Sequence, residues 1–401
     1  MSKDYDAIVV GARCAGSPTA MLLARRGYRV LLVDRATFPS DTTSTHMIHA
    51  PGVAALRRWG LLDLVTAAGT PPVPGYDCDF GGVRITGSPQ PADGVTTGYA
   101  PRRSVLDTLL VDAASVAGAE VREGFTMSTL VVEDGRVAGI RGHTADGTSV
   151  VEHGRVVVGA DGWNSRVARA VGAPQYHDRP MLQWSAYSYW SGLPIERMET
   201  YVRPDRGFAA LPTNDGLTMV VVGWPAAEAA AFRADVEGNF LATLDLVPEF
   251  AGRVRDATRE ERFHGGSVPN FFRRPYGPGW ALAGDAGYTR DSITAQGISD
   301  AFLDAESLAE ALHAAFSGTQ GFDEALAGHQ RARDERVTPI ADFTAQLATL
   351  EPPPPEVQQL LGAIAGHQAA MDAFVSVIAG TLSPARFFDP DHIGMLLAAA
   401  V

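Results

Sequence analysis

The sequence predicts an α/β fold interrupted by an antiparallel sheet and closed by a helical C-terminal tail. Three observations carry this reading. Residues 6–34 form one compact β-α-β pattern. Three apolar strands, Ala7 to Val10, Val150 to Gly159 and Trp280 to Ala283, each run into a glycine turn. Between about 176 and 262 the texture changes to aromatic-rich stretches divided by Pro and Gly. With 401 residues, 46% of them hydrophobic and 20% charged, the chain has material for roughly two to three structural units and a large core.

Ala7 to Val10 is a continuous apolar run of the kind buried in a parallel sheet. A glycine turn follows, then a helical pattern (Ala20, Met21, Leu22, Leu23) that stops at Gly27, a residue suited to the left-handed position past a helix end. Tyr28 to Val33 gives the second strand, with Asp34 at its tip. Leu106 to Ala117 reads as an amphipathic helix closed by Gly118. Two short strands turning at Asp134-Gly135 come next, and then the strand Val150 to Gly159. Gln183 to Trp190, Gly207 to Leu211 and Leu217 to Trp224 read as an antiparallel sheet, and the Gly/Pro-rich piece Pro71 to Pro91 as an excursion toward it. Trp280 to Ala283 returns to the parallel texture and a long helix runs from about Gly297 to Phe316. From about 340 the tail is helical, broken by Pro352 to Pro355. The expected division is a discontinuous first domain (1–72, 97–175 and 263–340), a sheet domain (73–96 and 176–262) and a C-terminal helical region (341–401).

Composition excludes several function classes. The formal charge, 33 − 46 = −13, and the lack of any basic run argue against nucleic acid or an anionic membrane surface as main partner. Two cysteines, Cys14 and Cys78, rule out a disulfide scaffold or a Cys-rich zinc site and fit a reducing compartment. Lys3 is the only lysine against 32 Arg, which nearly excludes Schiff-base chemistry. The start carries acids and runs straight into a strand, unlike a signal peptide, and no apolar stretch approaches the ~18 residues needed to cross a bilayer. A cytoplasmic protein is expected. His264 and His329 show no metal-ligand spacing, and no metal is expected.

Three motifs carry the chemistry. Gly11-Ala12-Arg13-Cys14-Ala15-Gly16 lies between a strand and a helix, where the dinucleotide fingerprint G-x-G-x-x-G puts a tight turn, a close pyrophosphate approach and close helix–strand packing. Arg13 replaces the second glycine. The context still fits a Rossmann-like unit: strand before, helix after, and Asp34 placed for ribose hydroxyls. The second motif, Gly159-Ala160-Asp161-Gly162-Trp163-Asn164-Ser165-Arg166, is a strand ending in an Asp-Gly turn, with Asn164 or Ser165 able to cap the next helix. The third, Trp280 to Tyr288, delivers Asp285 directly after Gly284. Eleven residues on, Gln296-Gly297 opens a helix whose N-terminus would stabilise negative charge.

Together and in this order, the motifs resemble the class A flavoprotein monooxygenases, the para-hydroxybenzoate hydroxylase fold shared with geranylgeranyl reductases and flavin-dependent halogenases. The resemblance covers roughly residues 5–345 and implies a glutathione-reductase-type FAD-binding domain with an inserted substrate sheet. It implies that the first motif and Asp34, with Arg35 beside it, hold the ADP moiety. Arg103 would lie in the phosphate region, Asp161 where FAD and a passing nicotinamide meet, and Asp285, after Gly284, on the ribityl chain. Gln296, Gly297 and Ile298 would face the flavin N1–C2=O edge. The chain departs from the hydroxylases at Tyr288, Ser292, Ala295 and Ser299, where they carry His, Pro, Gly and Asn, and at Ala168, where an Arg ends the second motif.

The resemblance implies a monooxygenase: NAD(P)H as a transient reductant, or a partner reductase, reduces FAD, oxygen adds at the flavin C4a position, and an apolar, aromatic or polycyclic small molecule is hydroxylated or epoxidised. Two alternatives stay open, a reductase or dehydrogenase of the geranylgeranyl-reductase type and a non-redox FAD-binding cyclase. Halogenation meets an obstacle, since the related halogenases use a lysine between flavin and substrate. Tyr187, Tyr189, Phe208, Leu211 and Trp224 are candidates for the substrate wall. Period-two spacing sets Tyr187 and Tyr189 on one strand face and Trp184 and Trp190 on the other, and leaves open which face is core. Acid–base candidates are His46, which would also run along the flavin, Tyr288 and Asp291. The chain would act as a monomer or homodimer.

Overall fold

The parallel sheet grows from the first β-α-β unit. In the computed structural model, which describes residues 5–398 and so leaves Lys3 outside, Tyr5–Val10 pairs in parallel with Val30–Val33 on one side and Ser149–Gly159 on the other. Glu120–Arg122 and Trp280–Leu282 extend the sheet outward in the same sense. Alternation along the first strand divides the core. Ala7 and Val9 pack against the helices Gly16–Ala24, Arg103–Val116 and Gly297–Phe316. Ile8 and Val10 face the hairpin Thr126–Glu133 and Arg136–His143, which turns at Asp134-Gly135. Both faces of the strand are buried, which is why it reads as an unbroken apolar run.

The chain leaves this sheet after Ser149–Gly159 and returns at Trp280–Leu282. Between them lies most of a second sheet, in the order Thr258–Arg259, Gln183–Ser191, Thr218–Pro225, Arg206–Pro212, Met198–Arg203, Tyr76–Asp79, Arg84–Gly87. It is antiparallel as expected except where Met198–Arg203 meets Tyr76–Asp79, which pair in parallel because the early segment joins from outside the meander. The last two strands come from the Gly/Pro-rich early segment, so that excursion does reach the sheet. The middle segment also contains three helices the sequence pattern did not announce, Ala229–Ala234, Val236–Leu244 and Pro248–Arg255. They are six to nine residues long, too short to build a clear 3.6-residue period, and they cover one face of the sheet.

Helix Phe322–Ala348 runs through residue 340 with Pro339 inside it, so the tail is continuous with the preceding region rather than set off at that position. Helices Pro355–Ile364, Gln368–Ile378 and Pro384–Phe387 follow, and their apolar residues Leu361, Phe374 and Phe387 pack on the other face of the antiparallel sheet. Among the described residues, no helix is long and apolar enough to cross a membrane.

Candidate functional site

A cleft of about 1190 Å³ runs from the end of the first strand, past the Asp-Gly turn, to the start of helix Gly297–Phe316. All three sequence motifs open onto it. At its first end the glycines leave no room for side chains. A Cβ on Gly11, whose φ is +105°, would come within 2.3 Å of the Ala160 carbonyl oxygen, and one on Gly16 within 1.7 Å of the Gly11 oxygen. The backbone is thus pressed close on both sides of the turn, as a phosphate-cradling loop requires. The Ala12 N–H donates to Asp34 Oδ2 (2.7 Å) and the Ala36 N–H to Oδ1 (2.8 Å), which fixes the Asp34 carboxylate at the cleft wall with lone pairs to spare for a sugar hydroxyl. Arg35, Cys14 and Ala15 line the same end, while Ala12 and Gly16 stand behind the wall.

Arg13 does not simply occupy a glycine position. Its guanidinium pairs with Asp107 and donates to Ser40 Oγ (2.9 Å). Arg103 holds the same fully buried Asp107 through two nitrogens at 3.0–3.1 Å, four residues away on one helix face. Two guanidinium groups share one carboxylate, leaving a net positive charge beside the glycine turn. That is the electrostatic demand of a pyrophosphate. Asp107 was not among the residues singled out from sequence; its i,i+4 spacing from Arg103 is the signal that identifies it.

Asp161 is used structurally. Its carboxylate accepts from Ser165 Oγ and from the N–H groups of Arg166 (2.7 Å) and Val167 (3.3 Å), so it caps helix Arg166–Ala170 while its turn lines the cleft. Ser165, and not Asn164, adds the side-chain cap.

The third motif forms the opposite wall. The Gly284 N–H donates to Asp304 Oδ2 (2.8 Å), anchoring the left-handed Gly284 that presents Asp285. The Asp285 carboxyl is open to the cleft yet enclosed by protein elsewhere. Desolvation pushes it up to about 6, with Arg103 pulling the other way. Gly297 and Ile298 line the cleft at a helix N-terminus. The Gln296 side chain turns away, its amide donating to the Ile378 carbonyl (2.8 Å) and its oxygen accepting from Arg290 (3.1 Å). Only its main chain can face a ligand. Tyr288 lines the cleft with its hydroxyl bonded to Arg290. Asp291 lines it as well, its carboxyl bonded to the Ile293 N–H (3.0 Å).

His46 is fully buried behind the cleft wall, with φ of +60°. Its Nε2 meets the Tyr189 hydroxyl at 2.5 Å, and its Nδ1 has no hydrogen-bond partner among the described residues. Burial first, then Arg103, Arg102 and His264, pull its pKa down to about 3, so the ring is neutral. Arg102 lies 4.1 Å over the Tyr189 ring and pairs with Glu261 and Asp41, tying the 40–46 segment to the antiparallel sheet.

The expected substrate wall needs correction. Phe208 and Trp224 pack with Trp190 under the three short helices, on the face turned away from the cleft. Tyr187, Tyr189 and Leu211 lie on the other face, but they are buried against Met47, Ala295 and the C-terminal helices and do not line the cleft. The registers Tyr189↔Met219↔Leu211 and Ala186↔Val222↔Phe208 show why: Phe208 and Leu211 are three apart and alternate faces.

The comparisons with known proteins agree with this geometry. A family described as FAD binding domain matches residues 4–344. Digeranylgeranylglycerophospholipid reductase 2 of Methanothermobacter thermautotrophicus is 29% identical over 308 residues, covering 73% of this chain and 74% of its own. Rifampicin monooxygenase of Streptomyces venezuelae is 27% identical over 386 residues, 89% of this chain and 74% of its own. Among solved structures, the FAD-dependent chondrochloren halogenase of a myxobacterium aligns with a TM-score of 0.79 at 23% identity, covering 99% of this chain and 97% of its own, which shows a shared fold. The glycine cradle, the net positive charge beside it and the open Asp285 suit FAD, and with the family match they lead to one conclusion: the chain belongs to the FAD binding domain family, the class A flavoprotein group, and is an FAD-dependent oxidoreductase.

Proposed function

We propose that the protein is a monooxygenase that takes electrons from NAD(P)H or a partner reductase and uses O2 to hydroxylate or epoxidise an apolar, aromatic or polycyclic small molecule. The observation that carries this reading is the extent of the likeness to rifampicin monooxygenase, which takes in 89% of the chain against 73% for the reductase. Bound FAD supplies the electron transfer and oxygen activation. The chain's own residues do the rest. Gly11 and the Arg13–Asp107–Arg103 cluster would hold the diphosphate, with Gly16 letting helix and turn pack behind it; Asp34 and Asp285 would accept from sugar and ribityl hydroxyls, and the N–H groups at Gly297 and Ile298 would stabilise negative charge on the flavin. His46, neutral and bonded at Nε2 to the Tyr189 hydroxyl, fixes that ring behind the cleft wall. Two buried free cysteines fit a cytoplasmic setting.

A reductase or dehydrogenase is the second reading, supported by the 29% identity to the digeranylgeranyl enzyme and by Ser292 standing where the hydroxylases carry Pro. Rapid mixing separates the two. FAD-loaded protein is reduced without oxygen and then mixed with oxygenated buffer. A resolved absorbance phase before the oxidised spectrum returns is expected of the monooxygenase. A single-phase return, with candidate substrates present, would replace it with the reductase. No reducible flavin at all would move the non-redox cyclase forward.

A further inference from the structure

We propose that Asp291 is a positioning residue: its buried carboxylate clasps the cofactor-facing loop 292–296 to the first residue of strand Gln183–Ser191, so that the antiparallel sheet sets where the loop stands in the cleft. The proposal rests on the reading that this loop faces the flavin. Asp291 is 3% exposed and forms part of the cleft wall. Its carboxylate accepts the Ile293 N–H at 3.0 Å, and the main-chain N–H groups of Ser292 and Gln183 stand close enough to stabilise its charge. Its own N–H donates to Asn270 Oδ1 (2.7 Å), and the Asn270 amide donates to the Pro180 carbonyl (2.9 Å), a second tie to the segment entering the same strand. The loop so held contains Ala295 at φ +52°, a left-handed conformation that a residue with a Cβ keeps only when its surroundings impose it. At the far side, Thr294 is fixed by His49 and Thr344. Asp291 supplies the near-side fixing.

The groups facing Asp291 are Asn270, Gln183, Ser292 and Ile293, none of them charged. Arg290, next in the chain, turns its guanidinium to Tyr288, Gln296 and Asp300. Desolvation therefore acts on the carboxyl without a counter-charge and pushes it up to about 7, against the pull of the nearby main-chain N–H groups. A neutral acid is a poorer acceptor than a carboxylate, so the clasp loosens as the group takes up a proton.

Hydrogen exchange on the cofactor-free and FAD-loaded forms of the parent, Asp291→Ala and Asp291→Asn tests this. Asp291→Ala should lose about tenfold protection in 289–297 and 182–186 while the parallel sheet keeps its own, and Asp291→Asn, which retains one acceptor oxygen, should lose less. If Asp291→Ala does not fold, the Asn variant alone decides. The visible spectrum of FAD-loaded Asp291→Asn should differ from that of the parent at the same pH. Unchanged protection in both segments overturns the clasp. Lost protection with an unaltered flavin spectrum shows that the clasp exists but the loop stands away from the flavin, which overturns the positioning role and the placement of the loop together.

Discussion

Arg13 stands where a dinucleotide-binding turn usually has its middle glycine, and Asp107 explains how the chain accommodates it. The arginine side chain leaves the turn and joins Arg103 on a carboxylate with no exposure. Asp107→Ala leaves two guanidinium groups facing each other without their shared counter-charge, and should cost about 3–5 kcal/mol; urea unfolding of the apoprotein checks it, with Asp107→Asn intermediate. Asp285→Ala should weaken FAD binding roughly 5- to 150-fold, the worth of a lost hydrogen bond of about 1–3 kcal/mol. Quenching of FAD fluorescence on titration measures this, and a variant that binds like the parent would move the ribityl chain elsewhere. Most of this site was legible in the sequence because its roles are local: a turn with no room for Cβ, an acid at a strand tip, a helix start. Asp304, which bonds the Gly284 N–H from another helix, gave no such signal, since an acid on a helix is ordinary until its partner is known.

Helices carry the next level of organisation. Gly297–Phe316 and Phe322–Ala348 pack as a pair behind the Gly-Asp turn, joined by His329 on the second helix, whose Nδ1 meets Ser307 Oγ at 2.9 Å and whose Nε2 lies 3.6 Å from Asp304. Burial first, only partly countered by Asp304, lowers the His329 pKa to about 4. Its folded value lies below the unfolded one, so this group's contribution is present above pH ~6.5 and is lost as pH falls toward 4. Between pH 7 and 5 the loss should be about 2 kcal/mol, and His329→Asn should remove that share of the slope in denaturant unfolding at the two pH values. An unchanged slope would mean that the ring is not held neutral. The antiparallel strands show where element-level reading stops. Period-two spacing correctly separates Tyr187 and Tyr189 from Trp184 and Trp190, yet both faces of this sheet are covered, so alternation alone does not say which side meets the cleft.

At the scale of the whole molecule, the C-terminal helices decide that question. They lay Leu361, Phe374 and Phe387 over the face that carries Tyr187, Tyr189 and Leu211, and reach the cleft-wall loop 292–296 through the Gln296–Ile378 contact. Phe387 has no exposure, and Phe387→Ala should cost about 3–5 kcal/mol through the cavity it leaves. The denaturation midpoint reads this out; a change below ~1 kcal/mol would mean that the tail packs loosely and leaves the aromatic face accessible. The sequence by itself determined the parallel sheet, its three cleft-facing turns and the FAD family, because each depends on a few adjacent residues whose backbone demands are visible in their types. Only the tertiary structure decided which aromatic face is covered, where Arg13 points and what holds Asp285 in place. Those depend on side chains that approach from other elements, from 20 residues along the chain for Asp304 to 94 for Asp107, and contacts of that separation leave no periodicity to read.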